Sequence, residues 1–249
     1  MEELIIQAPA KINLHLQVVD KREDGFHNIS SLFSLIDLSD TLSFRDNDNK
    51  IELSESIPIA DNIVLKAANL LKDKYSVKKG VRIELHKVIP EQKGLGGGSS
   101  NAATVMMAIN KLAKFNLSKK NLIEASLTLG ADVPFFINGT NAWIEGIGEF
   151  LYDIKIPNST YVIVVPNLSI NTKTIFNCFK LTNASIPLKI AASYSIAEHG
   201  LIKNDLEETV IKKYKKMTEL SKWISGFGNA KMSGTGSSIF IRAKNLKMA

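Results

Sequence analysis

Between residues 93 and 101 the chain reads Lys93-Gly94-Leu95-Gly96-Gly97-Gly98-Ser99-Ser100-Asn101, and no other stretch constrains the fold as strongly. Four glycines in five positions remove Cβ atoms where a backbone must turn sharply or approach something closely. A helix-like apolar run, Ala102 to Ile109, follows at once, and Ser99, Ser100 and Asn101 are all helix N-cap types. Free N–H groups and the positive end of a helix dipole at such a junction make a natural phosphate cradle. The plain alternative is a glycine-rich linker or tight turn. Linkers are seldom followed so directly by a capped apolar helix, so an anion-binding loop is the better reading.

The loop is neither of the two familiar kinds. A Walker A loop ends in Gly-Lys-Ser/Thr, and here the nearby lysine, Lys93, precedes the glycines. The dinucleotide pattern fails as well, because Ser99 stands where the third glycine belongs.

The rest of the chain is ordinary for a globular protein. Its 249 residues allow one large domain or two modest ones, with 45% hydrophobic and 22% charged residues. A lone cysteine, Cys178, excludes an intramolecular disulfide, and no Cys/His cluster has zinc spacing. The start is acidic and carries only three consecutive apolar residues, unlike a signal peptide, and no apolar run approaches a membrane span. These features point to the cytoplasm. The net charge of +6 suits an anionic ligand and equally nucleic acid. The densest basic run, Lys212-Lys213-Tyr214-Lys215-Lys216, lies in a helical pattern and reads as a solvated helix face.

Leu4 to Val19 is strand-like, with Ile12, Leu14, Leu16 and Val18 alternating against Lys11, Asn13, His15 and Gln17. Ser31 to Leu38 and Thr41 to Phe44 read as two further short strands. Asp61-Asn62 opens a helix whose apolar stripe runs from Ile63 to Tyr75, and Val81 to Ile89 alternates as a strand feeding Pro90 and the loop. A second helix runs from Ser118 towards Gly130. Strand-like pieces flank Gly146-Ile147-Gly148, and the composition shifts near Ile156-Pro157-Asn158, a candidate domain boundary. Tyr161 to Val165, continuously apolar, reads as a buried strand, and a helix follows from about Lys173. A second glycine cluster, Ser233-Gly234-Thr235-Gly236-Ser237-Ser238, precedes a strand at Ile239 to Arg242.

Three features suggest chemistry beside the loop. Asp132 sits between Gly130 and the apolar Val133-Pro134-Phe135-Phe136, where an unpaired charge is costly. It reads either as the N-cap of a short turn or as a carboxylate that accepts a hydroxyl proton. Lys11 reads as a solvated sheet-edge lysine or as a charge neutralising a transferring phosphoryl group. Phe26-His27, after a turn, offers a ring to stack on and an imidazole to hydrogen-bond, as base recognition requires. The second glycine cluster, paired with the first, reads as the other wall of a polyphosphate site.

Taken in order, Pro9-Ala10-Lys11-Ile12-Asn13-Leu14, Asp24-Gly25-Phe26-His27, Gly94 to Ala103, Leu129-Gly130-Ala131-Asp132-Val133-Pro134 and Ser233-Gly234-Thr235-Gly236 resemble the GHMP kinase superfamily over nearly the whole chain. The first, second and fourth of these are specific to members that phosphorylate the 2-hydroxyl of a cytidine-diphosphate-linked methylerythritol, in the non-mevalonate route to isoprenoid precursors. The resemblance implies an α+β, two-lobed GHMP kinase fold with the active site in the cleft between lobes, here 1–157, which binds ATP, and 158–249. It implies ATP with Mg²⁺, and a small-molecule acceptor rather than nucleic acid or membrane. Assembly, a homodimer included, is left open, and no protein ligand to the metal is singled out.

By that resemblance Asp132 is the catalytic base and Lys11 its charged partner. Gly94, Leu95, Gly96, Gly97, Gly98, Ser99 and Ser100 form the triphosphate loop, and Asn62 matches an adenosine-pocket position. Phe26 and His27 form the cytosine pocket, Thr172 and Phe176 its opposite wall, and Asn13 a substrate contact. Phe26 departs from the usual tyrosine, keeping the stacking face and losing a hydroxyl. Relatives usually carry another helix after the strand at Ile239 to Arg242, where this chain ends at Ala249. The nearest rival is a superfamily kinase acting on homoserine or a mevalonate-type alcohol, which needs no base clamp. A rival of another class, an RNA-binding protein using the basic surface, lacks an RNA-recognition motif.

Overall fold

The structure, a computed structural model, describes residues 3–47, 50–55, 62–75, 80–181 and 203–243. In chain order the elements are β1 (Leu4–Lys21), β2 (His27–Asn47), β3 (Ile51–Glu55), α1 (Ile63–Tyr75), β4 (Gly80–His86), α2 (Gly97–Leu112), α3 (Lys119–Ser126), α4 (Val133–Asn138), β5 (Ala142–Gly146), β6 (Phe150–Asp153), β7 (Tyr161–Val164), α5 (Thr172–Cys178), α6 (Glu207–Lys213), α7 (Lys215–Ile224), β8 (Lys231–Met232) and β9 (Ile239–Arg242). Two compact units share them. One comprises Met1–Ala10, Leu35–Ile89 and Gly96–Thr140, the other Lys11–Ser34, Pro90–Leu95 and Asn141–Ala249. The paired strands β1 and β2 each contribute to both units.

In the first unit, β4 runs antiparallel to the C-terminal part of β2, from Thr41 opposite His86 to Asn47 opposite Gly80, and parallel to β3. Val81, Ile83 and Leu85 are buried while Arg82, Glu84 and His86 are exposed, the alternation of a sheet covered on one face. Helices α1, α2 and α4 pack together, with Val64, Leu71, Val105, Met106 and Phe135 in the core. Asn62 caps α1, its Oδ1 accepting from Val64 N at 2.9 Å, while Asp61 lies outside the described residues. Ser118 caps α3 by accepting from Asn121 N at 3.2 Å.

β2 is one strand of 21 residues rather than the two short ones expected. The reason is Asp40, a turn-type residue by sequence, which the strand carries fully buried. Its Oδ1 accepts from Val88 N at 2.6 Å and Ile89 N at 2.8 Å. Its Oδ2 accepts from Lys87 Nζ at 2.6 Å and Asn101 Nδ2 at 2.9 Å. With all of these partners made inside the protein, the carboxylate no longer breaks the strand.

In the second unit, the N-terminal part of β2 pairs antiparallel with β5, and β5 with β6. A separate sheet of order β7-β9-β8 lies with α5, α6 and α7 over a core of Leu16, Val18, Ile170, Ile175, Leu206, Val210, Met217, Ile224, Met232, Ile239 and Ile241. Met217 and Ile224, with the half-buried Leu220, set the inner face of α7 at helical spacing. Lys212 and Lys215 pair with Glu208 and Glu219 one turn away, the pattern of a solvated helix face. β7 corrects the expectation of a buried strand. It ends at Val164, lies at the edge of its sheet and is only half-buried, because an unbroken apolar run does not reveal whether both faces are covered.

β1 is buried on both faces from Ala10 to Val18. The polar row is enclosed as well: Lys11 is 3% exposed, Asn13 2% and His15 2%. His15 stacks on Trp143 with ring centroids 5.9 Å apart and planes 9° apart, and neither of its ring nitrogens has a hydrogen-bond partner among the described residues. Burial pushes its pKa down to about 4, with Asp205 opposing and Lys203 assisting.

Two predictions follow from these buried charges. Asp40→Ala strands the Lys87 ammonium, and stability falls by about 3–5 kcal/mol in urea unfolding; a loss below about 1 kcal/mol contradicts this reading of the network. The unfolded chain protonates His15 near its ordinary value of 6.5, which the folded chain resists down to about 4. His15 therefore contributes stability that is present above pH 6.5 and is lost as pH falls towards 4, roughly 3 kcal/mol over the window. His15→Phe flattens that part of the stability profile; an unchanged slope contradicts it.

Candidate active site

The glycine segment is more ordered than a loop. Helix α2 starts at Gly97 with Gly96 as its cap, so Ser99, Ser100 and Asn101 lie inside its first turns rather than capping it. Sequence reading places the start late because hydroxyl and amide residues are the usual caps. Here close packing demands glycine at the first helical position: a Cβ on Gly97 would stand 2.9 Å from Ile89 Cγ2 and 3.2 Å from Lys87 Nζ. The ammonium beneath that turn is the one held by Asp40, and it also donates to Asn101 Oδ1 at 3.1 Å. The network therefore fastens β4's exit to the start of α2. The first N–H groups of a helix have no intrahelical acceptor. Ser100 Oγ, buried and without a partner among the described residues, adds an uncommitted polar atom to the same turn. Such a cradle fits a phosphate.

The same unit holds Asp132 and Asn62. Asp132 occupies the cap position of α4 in a helical conformation, yet makes no capping hydrogen bond, so the simple N-cap reading fails. It is half-buried. Gly130, two residues earlier, lies so that a Cβ there would be 4.0 Å from Ser99 Oγ, which sets the Asp132 segment beside the glycine turn. Asn62 is occupied by its cap and by a bond from its Nδ2 to Glu55.

The second unit gathers Lys11, Asn13, Gly94 and Leu95. Lys11 Nζ donates to Asn13 Oδ1 at 2.7 Å and sits 4.4 Å above the Phe33 ring, so the solvated-lysine reading fails too. Lys11 N donates to Leu95 O at 3.0 Å. Ser233 Oγ joins the set: it accepts from Asn13 N at 3.2 Å and lies 2.8 Å from Gly94 O. Gly94, at φ 76, approaches so closely that a Cβ would fall 2.1 Å from Ser233 O. The two glycine-rich segments thus meet at Gly94 and Ser233.

The aromatic pair forms in the same unit. His27 and Phe176 have ring centroids 5.2 Å apart, tilted by 30°. Burial, with Lys21 assisting, lowers the His27 pKa, which favours a neutral imidazole able to donate and accept. Phe26 is 58% exposed, held at its N–H by Asp24. Thr172 opens α5, and its Oγ1 lies 3.0 Å from Thr235 Oγ1 in the second glycine cluster.

One organising residue escaped the sequence reading. Asn204 Nδ2 donates to Met232 O at 2.8 Å and Gly234 O at 2.7 Å, while its Oδ1 accepts from Leu206 N at 3.0 Å. It therefore holds the turn that carries Ser233 and Thr235. The Asn204-Asp205 pair just before a helix is a capping signature and was the available signal.

Residues 62–140 match the GHMP kinases N terminal domain. The chain is 40% identical to the 4-diphosphocytidyl-2-C-methyl-D-erythritol kinase of Colwellia psychrerythraea strain 34H, over 97% of this chain and 82% of that protein. It superposes on a crystal structure of 4-(cytidine 5'-diphospho)-2C-methyl-D-erythritol kinase with TM-score 0.86 and 32% identity, covering 99% and 92% of the two chains. Homoserine kinase from Cytophaga hutchinsonii shares the fold at TM-score 0.72 and 17% identity, over 100% of this chain and 87% of that one. The chain belongs to the GHMP kinases, which are ATP-dependent phosphotransferases, and within them to the 4-diphosphocytidyl-2-C-methyl-D-erythritol kinase family.

Proposed function

We propose that the chain transfers the γ-phosphoryl group of ATP to the 2-hydroxyl of 4-diphosphocytidyl-2-C-methyl-D-erythritol, in the cytoplasm, within non-mevalonate isoprenoid precursor biosynthesis. An ATP-binding lobe, 1–157, and a second lobe, 158–249, are proposed with it. Among the described residues no helix is long and apolar enough to cross a membrane. The observation that carries the substrate assignment is the His27–Phe176 ring pair, which a homoserine or mevalonate acceptor does not need. A planar base fits beside such rings, and the neutral imidazole can read its polar edge.

In this reading the N–H groups opening α2 and the Ser100 hydroxyl hold the triphosphate. Mg²⁺, when bound, neutralises phosphate charge, and the hard oxygen of Ser100 suits it as a donor. Asp132 orients the acceptor hydroxyl and takes its proton, while Lys11, aligned by Asn13 and Phe33, stabilises the charge on the transferring group. Transfer is direct and in line, so positioning and electrostatics supply most of the acceleration.

ATP turnover with three acceptors tests the proposal. Turnover with the cytidine-linked acceptor, and not with homoserine or mevalonate, is expected; the reverse pattern sinks it. Salt-sensitive RNA binding without ATP turnover supports the RNA-binding rival instead. Asp132→Asn lowers kcat roughly 10²–10⁴-fold with little change in either KM, and near-normal turnover removes Asp132 from its role. Phe176→Ala raises KM for the acceptor about tenfold or more and leaves KM for ATP alone. Equal effects on both ligands contradict the base clamp.

A further inference from the structure

Lys93 stands before the glycines, and the mechanism above leaves it without a task. Its setting is unusual for a lysine. The residue is 8% exposed, yet its ammonium has no hydrogen bond or ion pair among the described residues. The other well-covered lysines differ: Lys87 lies against Asp40, and Lys11 donates to Asn13. The Lys93 nitrogen is also not among the sealed, partnerless side-chain atoms, so the small exposure that remains includes the charged end. Desolvation pushes its pKa down, with no neighbouring charge contributing.

The backbone cannot shift to relieve this. Four successive carbonyls are fixed within the same unit: Gln92 O by Ile170 N at 3.4 Å, Lys93 O by Ser238 N at 3.0 Å, Gly94 O by Ser233 Oγ at 2.8 Å and Leu95 O by Lys11 N at 3.0 Å. Ser238, whose N–H donates to Lys93 O, has a buried hydroxyl without a partner among the described residues. A lysine buried along its stem on a rigid segment, its ammonium reaching the surface without a counter-charge, costs the folded state part of that group's hydration. Such a cost is expected where a ligand supplies the missing counter-charge.

We propose that Lys93 is an additional phosphate-ester ligand, its ammonium taking a non-bridging phosphoryl oxygen either from the triphosphate of the donor or from the diphosphate of the acceptor. This rests on the kinase reading, which brings two polyphosphate ligands to the residues flanking Lys93. An ammonium at the end of a flexible stem is a compact point charge suited to such an oxygen.

The test uses the full chain with Lys93→Met, which keeps most of the stem and removes the charge. Calorimetry measures binding of ATP, of the cytidine-linked acceptor and of sodium tripolyphosphate, with melting temperature read in parallel. At least one natural ligand weakens about tenfold or more. Tripolyphosphate weakens with it if the donor is the source, and is unaffected if the acceptor is. The melting temperature holds, because the ammonium makes no bond to the described residues. Lys93→Ala repeats the measurement should the first variant fold poorly. Unchanged affinity for all three ligands overturns the proposal, as does a lower melting temperature with affinities intact. Failure of the kinase reading looks different: wild-type chain that binds tripolyphosphate through Lys93 yet does not turn over the acceptor.

Discussion

The hydroxyl of Ser233 is the interaction on which the second unit's chemistry depends. It accepts from the backbone of Asn13 and reaches the carbonyl of Gly94, joining segments 220 and 139 residues away in sequence. Neither side has slack. β1 is buried on both faces, so Asn13 cannot rotate towards solvent, and Gly94 has no room for a Cβ beside Ser233 O. Lys11, two residues before Asn13 on the same face, is aimed as a consequence. Asn204 secures the arrangement from behind by binding both Met232 O and Gly234 O. A buried polar row is expensive unless satisfied, and here most of its members are satisfied by groups from other segments.

The first unit solves a related problem with charge. Placing the Lys87 ammonium beneath the positive end of α2 is unfavourable in isolation. Asp40 removes the conflict by accepting from that ammonium, from Asn101 and from two backbone N–H groups leading out of β4. The ion pair therefore fixes where α2 begins more than it adds to stability, since burying both charges costs much of what their attraction returns. Among the described residues the Ser100 hydroxyl in this turn has no partner, which leaves it open to the proposed phosphate.

Much of this was legible in the sequence, and the failures have physical causes. The cap at Asn62 and the strand alternation of β4 follow from local rules, while the meeting of the two glycine clusters was suggested only by their pairing in one chain. The single long β2 did not, because a buried aspartate with distant partners looks like a turn residue until those partners are known. The start of α2 was read late for a similar reason: only the packing of Ile89 and Lys87 shows why glycine occupies the first helical position. Lys11 was open between solvent and site, and its burial against Phe33 removes the solvated reading. Asn204 carried a capping signature, but its grip on a turn 30 residues away leaves no local trace. The pairing of His27 with Phe176, 149 residues apart, came from the family resemblance and not from any pattern in the residues between them.

The proposed kinase activity on a nucleotide-linked alcohol draws on the His27–Phe176 ring pair, on the Asp132 segment beside the glycine turn, and on Lys11 held by Asn13. The most direct test of that account is ³¹P NMR of the product formed from ATP and 4-diphosphocytidyl-2-C-methyl-D-erythritol. The account predicts a new phosphate monoester on the 2-hydroxyl, with the diphosphate bridge of the acceptor intact. A new phosphate at any other position, or ATP hydrolysis without an ester product, contradicts it.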